Sequence, residues 1–150
     1  GPGDNYHPTN SHVVPGLISR FHMAKKTNQD EVIVWGTGNP RREFLFVDDM
    51  AEASIYLNSL DREIYESNIG TMQSHINVGT GKDITIRELA ETIKDVVGFK
   101  GKITFDSTKP DGMPRKRLNV DRLKNLGWSY NVNLRDGLEI VYKSFTLLQK

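Results

Sequence analysis

Apolar residues near the amino terminus recur at the spacing of an amphipathic helix. They occupy positions i, i+4 and i+7 of one stretch: Leu17, Phe21 and Ala24. Pro15 suits the entry of such a helix, and either Asn10 or Ser11 can cap it. The pattern therefore predicts a first helix with Arg20 at the border of its apolar face.

Short β-branched and aromatic runs alternate with helical segments farther along the chain. Strands are predicted for three of these runs: 31–36, 74–78 and 102–105. Another apolar run, over residues 44–47, stops at Asp48 and Asp49, where a carboxylate can cap a helix over residues 50–60. Helix and strand signals thus alternate from the first third of the chain onwards.

The clearest helix signal begins at Thr85. Thr85 and Glu88 have the spacing of a capping box, in which each side chain accepts a hydrogen bond from a free amide at the helix start. One apolar stripe follows: Ile86, Leu89, Ala90, Ile93, Val96 and Val97. Gly98 is then expected to end the helix.

Two further helices are predicted towards the carboxyl end. Residues 121–126 form a short helix, capped by Asp121 and closed by Gly127, and an amphipathic helix runs from Leu134 onwards. Strands separated by helices predict the α/β class. Because the strands are few and short, we expect an incomplete parallel sheet with helices.

Two glycine-rich turns follow predicted strands, but neither has the spacing of a dinucleotide-binding fingerprint. Residues 79–81 are followed by Ile84 at the position of the third glycine, and residues 36–38 are followed by Arg41. Both segments are therefore interpreted as tight turns.

Composition narrows the function classes. The 150 residues include 20 Lys and Arg against 19 Asp and Glu, so a net charge of +1 provides no global field to recruit nucleic acid or an anionic membrane. Without cysteine the chain has neither disulfides nor thiolate nucleophiles, and its four histidines lack metal-ligand spacing. No apolar run could span a bilayer. We expect a cytoplasmic protein without a metal.

Cationic side chains concentrate in a loop over residues 109–117, which two prolines stiffen. Three of them are consecutive: Arg115, Lys116 and Arg117. Such a loop can bind a pyrophosphate through charge-assisted hydrogen bonds, although a solvated basic loop has the same composition. A second cationic pair, at residues 41–42, follows Trp35 and a glycine-rich turn, and Arg20 is a third candidate ligand.

His12 lies in a polar loop just before the first predicted helix, beside Asn10 and Ser11. Histidine is the side chain whose chemistry suits proton transfer near neutrality, whereas a cap or surface role is the alternative. His7 shares this loop and cannot be distinguished by chemistry alone. His22 and His75 are interpreted as structural residues on a helix surface and a strand.

Several segments resemble the extended short-chain dehydrogenase/reductases that act on nucleotide sugars. Three carry the superfamily resemblance: GTGNPRREF at 36–44, VDDMA at 47–51 and NVGTG at 77–81. Two more narrow it, since DNYHPTNSHVVP at 4–15 and KPDGMPRK at 109–116 are similar to the GDP-L-fucose synthase family. The resemblance extends over essentially the whole chain.

This resemblance implies a reaction and a set of site residues. The family epimerises GDP-4-keto-6-deoxy-D-mannose at C3 and C5, and then reduces C4 with NADPH to form GDP-L-fucose. His12 matches the family histidine that acts as the acid in epimerisation and approaches the cofactor. Five residues match positions that contact the GDP-sugar: Arg20, Trp35, Arg42, Asp111 and Lys116.

The chain also departs from the family pattern. The glycine-rich cofactor turn, the Tyr-x-x-x-Lys pair with its serine and the epimerisation cysteine have no counterpart. We therefore expect residues 1–150 to be the substrate-binding domain, cut from an amino-terminal half that binds NADP and forms most of a homodimer interface. Alone it should bind no cofactor and be inactive. Another nucleotide-sugar epimerase or dehydratase, and a non-enzymatic module that binds phosphorylated ligands or RNA, are the alternatives.

Overall fold

The computed structural model describes residues 1–70 and 72–148, in which short strands alternate with helices. In chain order the elements are α1 (Val13–Lys26), β1 (Glu31–Trp35), β2 (Arg41–Glu43), α2 (Val47–Ser59), α3 (Arg62–Ser67), β3 (Asp83–Thr85), α4 (Ile86–Val97), β4 (Lys102–Asp106), β5 (Arg115–Lys116), α5 (Asp121–Asn125) and α6 (Leu134–Leu148). The predicted α/β class is confirmed.

The strands form two small sheets. β1 and β4 pair in parallel, from Glu31 opposite Lys102 to Trp35 opposite Asp106. β2 lies at the centre of the second sheet, where it pairs in parallel with β5 and antiparallel with β3. Parallel pairs thus occur in both sheets, as expected, and the antiparallel β2–β3 pair is the departure from a purely parallel arrangement.

The main core lies between α1, α4 and α6 and one face of β1. Its buried side chains include Leu17, Ile18 and Phe21 of α1, Leu89, Ile93 and Val97 of α4, and Leu138, Val141 and Phe145 of α6. These residues belong to the apolar faces of three amphipathic helices, whose burial is the main driving force for folding. The predicted apolar stripes of α1 and α4 are confirmed.

The capping predictions have mixed outcomes. The Thr85–Glu88 box is present, and Gly98 ends α4 with φ +73°. By contrast, the residue that precedes α1 is His12, and its side chain makes no capping bond, so Asn10 and Ser11 are not the caps. α5 begins at Asp121 itself, so that carboxylate lies within the first turn and does not cap it.

The carboxylate cap predicted for the second helix is also wrong. α2 begins earlier, at Val47, so Asp48 and Asp49 lie in its first turn and no side chain caps it. Asp49 instead contacts the loop before α6. Its buried carboxylate accepts hydrogen bonds from the backbone N–H groups of Asn131 and Val132, at 2.9 and 3.0 Å. Asp49 therefore fixes the loop before α6.

Residues 74–78 form no strand, which corrects a second prediction. Their apolar members, Ile76 and Val78, pack against a small separate cluster around Trp128. The Asn77 amide donates to the backbone oxygen of Asn119 at 3.0 Å. The alternation of apolar and polar residues in this segment therefore reflects packing against one apolar cluster, and not pairing with a neighbouring strand.

The helices in the described part of the chain are too short or too polar to cross a membrane.

Candidate functional site

A cleft of about 840 Å³ lies between the amino-terminal loop, α1 and β1. The Gln29 amide donates to the Ala24 oxygen at 2.9 Å where α1 ends, and Arg20, earlier on α1, contacts Ile33, so β1 runs back along α1. Three of the predicted site residues line this cleft: His12, Arg20 and Trp35. The structure thus brings the predicted proton donor, one cation and one aromatic ring to the same cavity.

Arg20 bridges the two walls of the cleft. Its Nε donates to the Gly16 oxygen at 3.2 Å, and its Nη1 donates to the Ile33 oxygen at 3.1 Å. Although the residue is exposed overall, partial burial of the guanidinium lowers its pKa from the ordinary value. A guanidinium carries five N–H groups, so those not used in these bonds can reach an anion in the cleft.

Trp35 lies where the cleft meets the basic loop. The residue is 65% exposed, and Lys109 Nζ lies 5.8 Å from the ring centroid. Such an exposed aromatic surface, with a cation above it, can pack against an apolar part of an anionic ligand. Trp35 therefore connects the two groups of predicted site residues.

Asp111 anchors the basic loop to the turn after β1. Its carboxylate accepts from the Thr37 amide at 2.9 Å and from the Thr37 hydroxyl at 2.6 Å, a pair of bonds called here the Thr37–Asp111 latch. Both bonds lower the pKa of Asp111, and the bond from the Thr37 hydroxyl has the larger effect. Gly36 has φ +84°, and a Cβ there would collide with the carboxylate, so this turn requires glycine.

Arg42 and Lys116 are register partners on β2 and β5. Arg42 Nη1 donates to the backbone oxygens of Arg41 and Met113, both at 2.7 Å, so its position is fixed by the loop that it contacts. Lys116 is exposed beside it. The two predicted diphosphate ligands are therefore neighbours, at the opposite end of the basic loop from the latch.

Two cations of the predicted sets are already paired within the protein. Asp83, whose side chain is only 5% exposed, forms ion pairs with Arg41, at 3.1 Å, and with Arg115. The bond from Arg115 contributes most to lowering the pKa of Asp83, and Arg41 adds to it. Sequence reasoning missed Asp83, since the antiparallel register that brings it to Arg41 leaves no local signal.

Both glycine-rich turns are occupied by carboxylates of the same chain. Glu43 accepts from the Gly81 amide at 2.7 Å and from the Thr80 hydroxyl at 3.3 Å. Its second oxygen accepts from the Leu118 amide, also at 2.7 Å. Because a carboxylate fills the place that a phosphate would need, the residues of this turn do not fit a dinucleotide pyrophosphate. The interpretation as a tight turn is confirmed.

The histidines differ in what they contact. His12 is exposed and borders both the cleft and a second, smaller cavity of about 230 Å³. His7 Nδ1 accepts from the amides of Thr9 and Asn10, at 3.2 and 3.3 Å, so this ring shapes the loop. Within the described residues no cluster of histidine and carboxylate side chains could hold a metal ion.

The other two histidines lie outside the cleft. His22 Nδ1 is 3.2 Å from the Tyr142 hydroxyl, which agrees with a structural role on α1. Burial, followed by the charges of Lys26 and Lys25, lowers the pKa of His22. His75 is exposed in an irregular segment, so its assignment to a strand is wrong.

The chain is similar to curated enzymes over most of its own length. It is 57% identical over 145 residues to GDP-L-fucose synthase of Escherichia coli (strain K12), covering 97% of this chain and 45% of that protein. It is 54% identical to GDP-L-fucose synthase 1 of Arabidopsis thaliana, covering 95% of this chain and 41% of the relative. The chain thus spans less than half the length of either relative.

Solved structures show the same fold. One is a GDP-D-glycero-L-gluco-heptose synthase from Campylobacter jejuni, determined in the presence of NADPH. It superposes with a TM-score of 0.87 at 29% identity, over 97% of this chain and 50% of that one. The sequence model of the NAD dependent epimerase/dehydratase family matches residues 1–79, more than half of the chain. The chain therefore belongs to the NAD dependent epimerase/dehydratase family.

Proposed function

We propose that this chain is the GDP-sugar-binding part of a GDP-L-fucose synthase. The whole protein would epimerise GDP-4-keto-6-deoxy-D-mannose at C3 and C5 and reduce C4 with NADPH to form GDP-L-fucose. The observation that carries this proposal is the 57% identity to the Escherichia coli enzyme over 97% of the chain. The comparisons favour neither another epimerase or dehydratase nor an RNA-binding module.

The geometry of the site supports this assignment. His12 and Arg20 share one cleft, so a sugar near the imidazole could have its diphosphate within reach of the guanidinium. Arg42 and Lys116 add cations beyond Trp35, which lies between the cleft and the basic loop. Protons next to a ketone are acidified by enolate formation, and a correctly positioned imidazole can return a proton to the carbon. In this arrangement the cations bind the remote nucleotide and thereby orient the reacting ring.

The cofactor is proposed to bind elsewhere in the whole protein. NADPH would supply the hydride for reduction at C4. Its pyrophosphate requires a glycine-rich turn with free amides. In both such turns of this chain, a backbone amide already donates to a carboxylate from another segment of the chain. Of the residues in this chain, His12 is the one proposed to approach the cofactor, as the family resemblance implies.

Titration of the whole protein with GDP tests the proposal. Arg42→Ala and Lys116→Ala should each weaken GDP binding about ten- to a hundredfold, since hydrogen bonds between charged groups are lost. Arg62→Ala and Lys143→Ala, on helices away from the cleft, are matched controls and should leave the affinity unchanged. Equal affinities in all four variants would show that the basic loop is only a solvated surface.

A further inference from the structure

The cleft has two ends, and the proposed chemistry uses only one of them. His12 lies at the amino end of α1, and Met23 lies near its carboxyl end, roughly 16 Å away by helical rise. On the opposite wall, β1 returns from Glu31 to Trp35, so Glu31 and Met23 are at the end away from His12. Arg20 lies between the two ends, where it contacts Ile33.

From Arg20 towards its far end, the cleft has apolar walls that are partly exposed. Met23 of α1 and Ile33 of β1 are 48% and 49% exposed, and both line the cavity. They extend from the two elements that Arg20 bridges. Two exposed apolar side chains on facing walls suit a flat, hydrophobic group such as a nucleobase.

A carboxylate lies at the same end. Glu31 alternates with Ile33 and Trp35 on the exposed face of β1, and Gln29 lies beside it in the lining of the cleft. The Thr104 hydroxyl donates to Glu31 Oε2 at 2.7 Å, which orients the carboxylate. A negative charge in a cleft for an anionic ligand is unfavourable unless it accepts hydrogen bonds from that ligand.

We propose that Glu31 selects guanine, in a base subsite formed with Met23, Ile33 and Gln29. This inference rests on the proposed function, since it takes the ligand to be a nucleoside diphosphate sugar. With the sugar at His12 and the diphosphate at Arg20, the base extends to the far end of the cleft. Guanine has two adjacent donors, N1–H and the 2-amino group, and a carboxylate accepts from both. On their Watson–Crick edges, uracil, cytosine and adenine instead place an acceptor next to each donor.

Calorimetric titration of the whole protein with GDP, IDP and UDP tests the assignment. IDP differs from GDP only in lacking the 2-amino group, so the unaltered protein should bind GDP about tenfold or more tightly than IDP, and UDP more weakly still. In Glu31→Gln the amide offers one acceptor and one donor. The preference for GDP over IDP should then fall below about threefold.

Two further variants make the result decisive. Glu91→Gln, an exposed glutamate of α4, should keep the full preference. Thr104→Val retains the carboxylate but removes the hydroxyl that orients it, and should reduce the preference a few-fold even if Glu31→Gln does not fold. If the unaltered protein does not distinguish GDP from IDP, or if both site variants keep the preference, the role of Glu31 is refuted. If it binds GDP no more tightly than UDP, the proposed function fails as well.

Discussion

The two hydrogen bonds that Asp49 accepts provide a sharp test of how the fold is held together. Asp49 is 2% exposed, and its two oxygens satisfy the amides of Asn131 and Val132. Replacing it by alanine leaves both amides without this partner. Its neighbour Asp48 occupies the same first turn of α2 but is exposed, so Asp48→Ala is a matched control for the interaction with the helix dipole.

The expected magnitude follows from these contacts. A hydrogen bond to a charged group contributes about 1.5–3 kcal/mol, so the loss of two would cost about 3–6 kcal/mol. Removing a buried carboxylate also removes its desolvation penalty, which reduces the net loss to about 2–4 kcal/mol. For a domain of this size, each kcal/mol lowers Tm by about 2–4 °C. Asp48→Ala should change the free energy of unfolding by less than about 1 kcal/mol.

Urea denaturation of the 150-residue chain, followed by circular dichroism, measures the difference. Asp49→Asn is informative too, because an amide can accept only one of the two bonds and turns a donor towards the second N–H group. It should fall between the alanine variant and the unaltered chain. The reasoning is refuted if Asp49→Ala and Asp48→Ala have the same free energy of unfolding.

Three further predictions concern the site and the half-buried His22. Thr37→Val removes one bond of the Thr37–Asp111 latch and should weaken GDP binding about three- to tenfold, whereas Thr37→Ser should restore it. His12→Gln in the whole protein should slow solvent deuterium incorporation at C3 and C5 about a hundred- to ten-thousandfold, with a much smaller effect for His7→Gln. Because the pKa of His22 is lowered in the fold, its contribution to stability is complete above pH 6.5 and is lost as the pH falls below that value. Thermal melts at several pH values should therefore show a smaller loss on acidification for His22→Gln.

Each of these predictions has a contrary outcome. Unchanged GDP affinity in Thr37→Val would show that the latch does not position the loop. Normal exchange in the His12 variant, with loss in the His7 variant, would mean that the wrong histidine was assigned. Parallel pH profiles with and without His22 would show that its protonation does not oppose folding.

Much of the helical structure could be predicted because its determinants are close together in the chain. The box that starts α4 joins Thr85 and Glu88, three residues apart, and Gly98 ends the helix through its own backbone conformation. The apolar stripes depend on spacings of three and four residues. Where a side chain had a stronger distant partner, as Asp49 has, the local prediction of a cap was wrong.

The candidate site was predictable in its residue types but not in its connections. The cationic segments and His12 are visible in the sequence, and their resemblance to one family suggested the roles. Asp83 decides which cations are left to face a ligand, because it pairs with Arg41 and Arg115. These partners are 42 and 32 residues away from it in the chain. No pattern of neighbouring residues encodes such a contact, because it arises from strand register.

The sequence alone therefore carried the fold class, the positions of the long helices and the family resemblance, since periodicity, caps and motifs are properties of short segments. The tertiary structure decided that Trp35 meets the basic loop, that Glu31 shares a cleft with Arg20, and that the glycine-rich turns are filled by internal carboxylates. These features join segments far apart in the chain. They depend on the packing of the whole core, which fixes the distances between those segments.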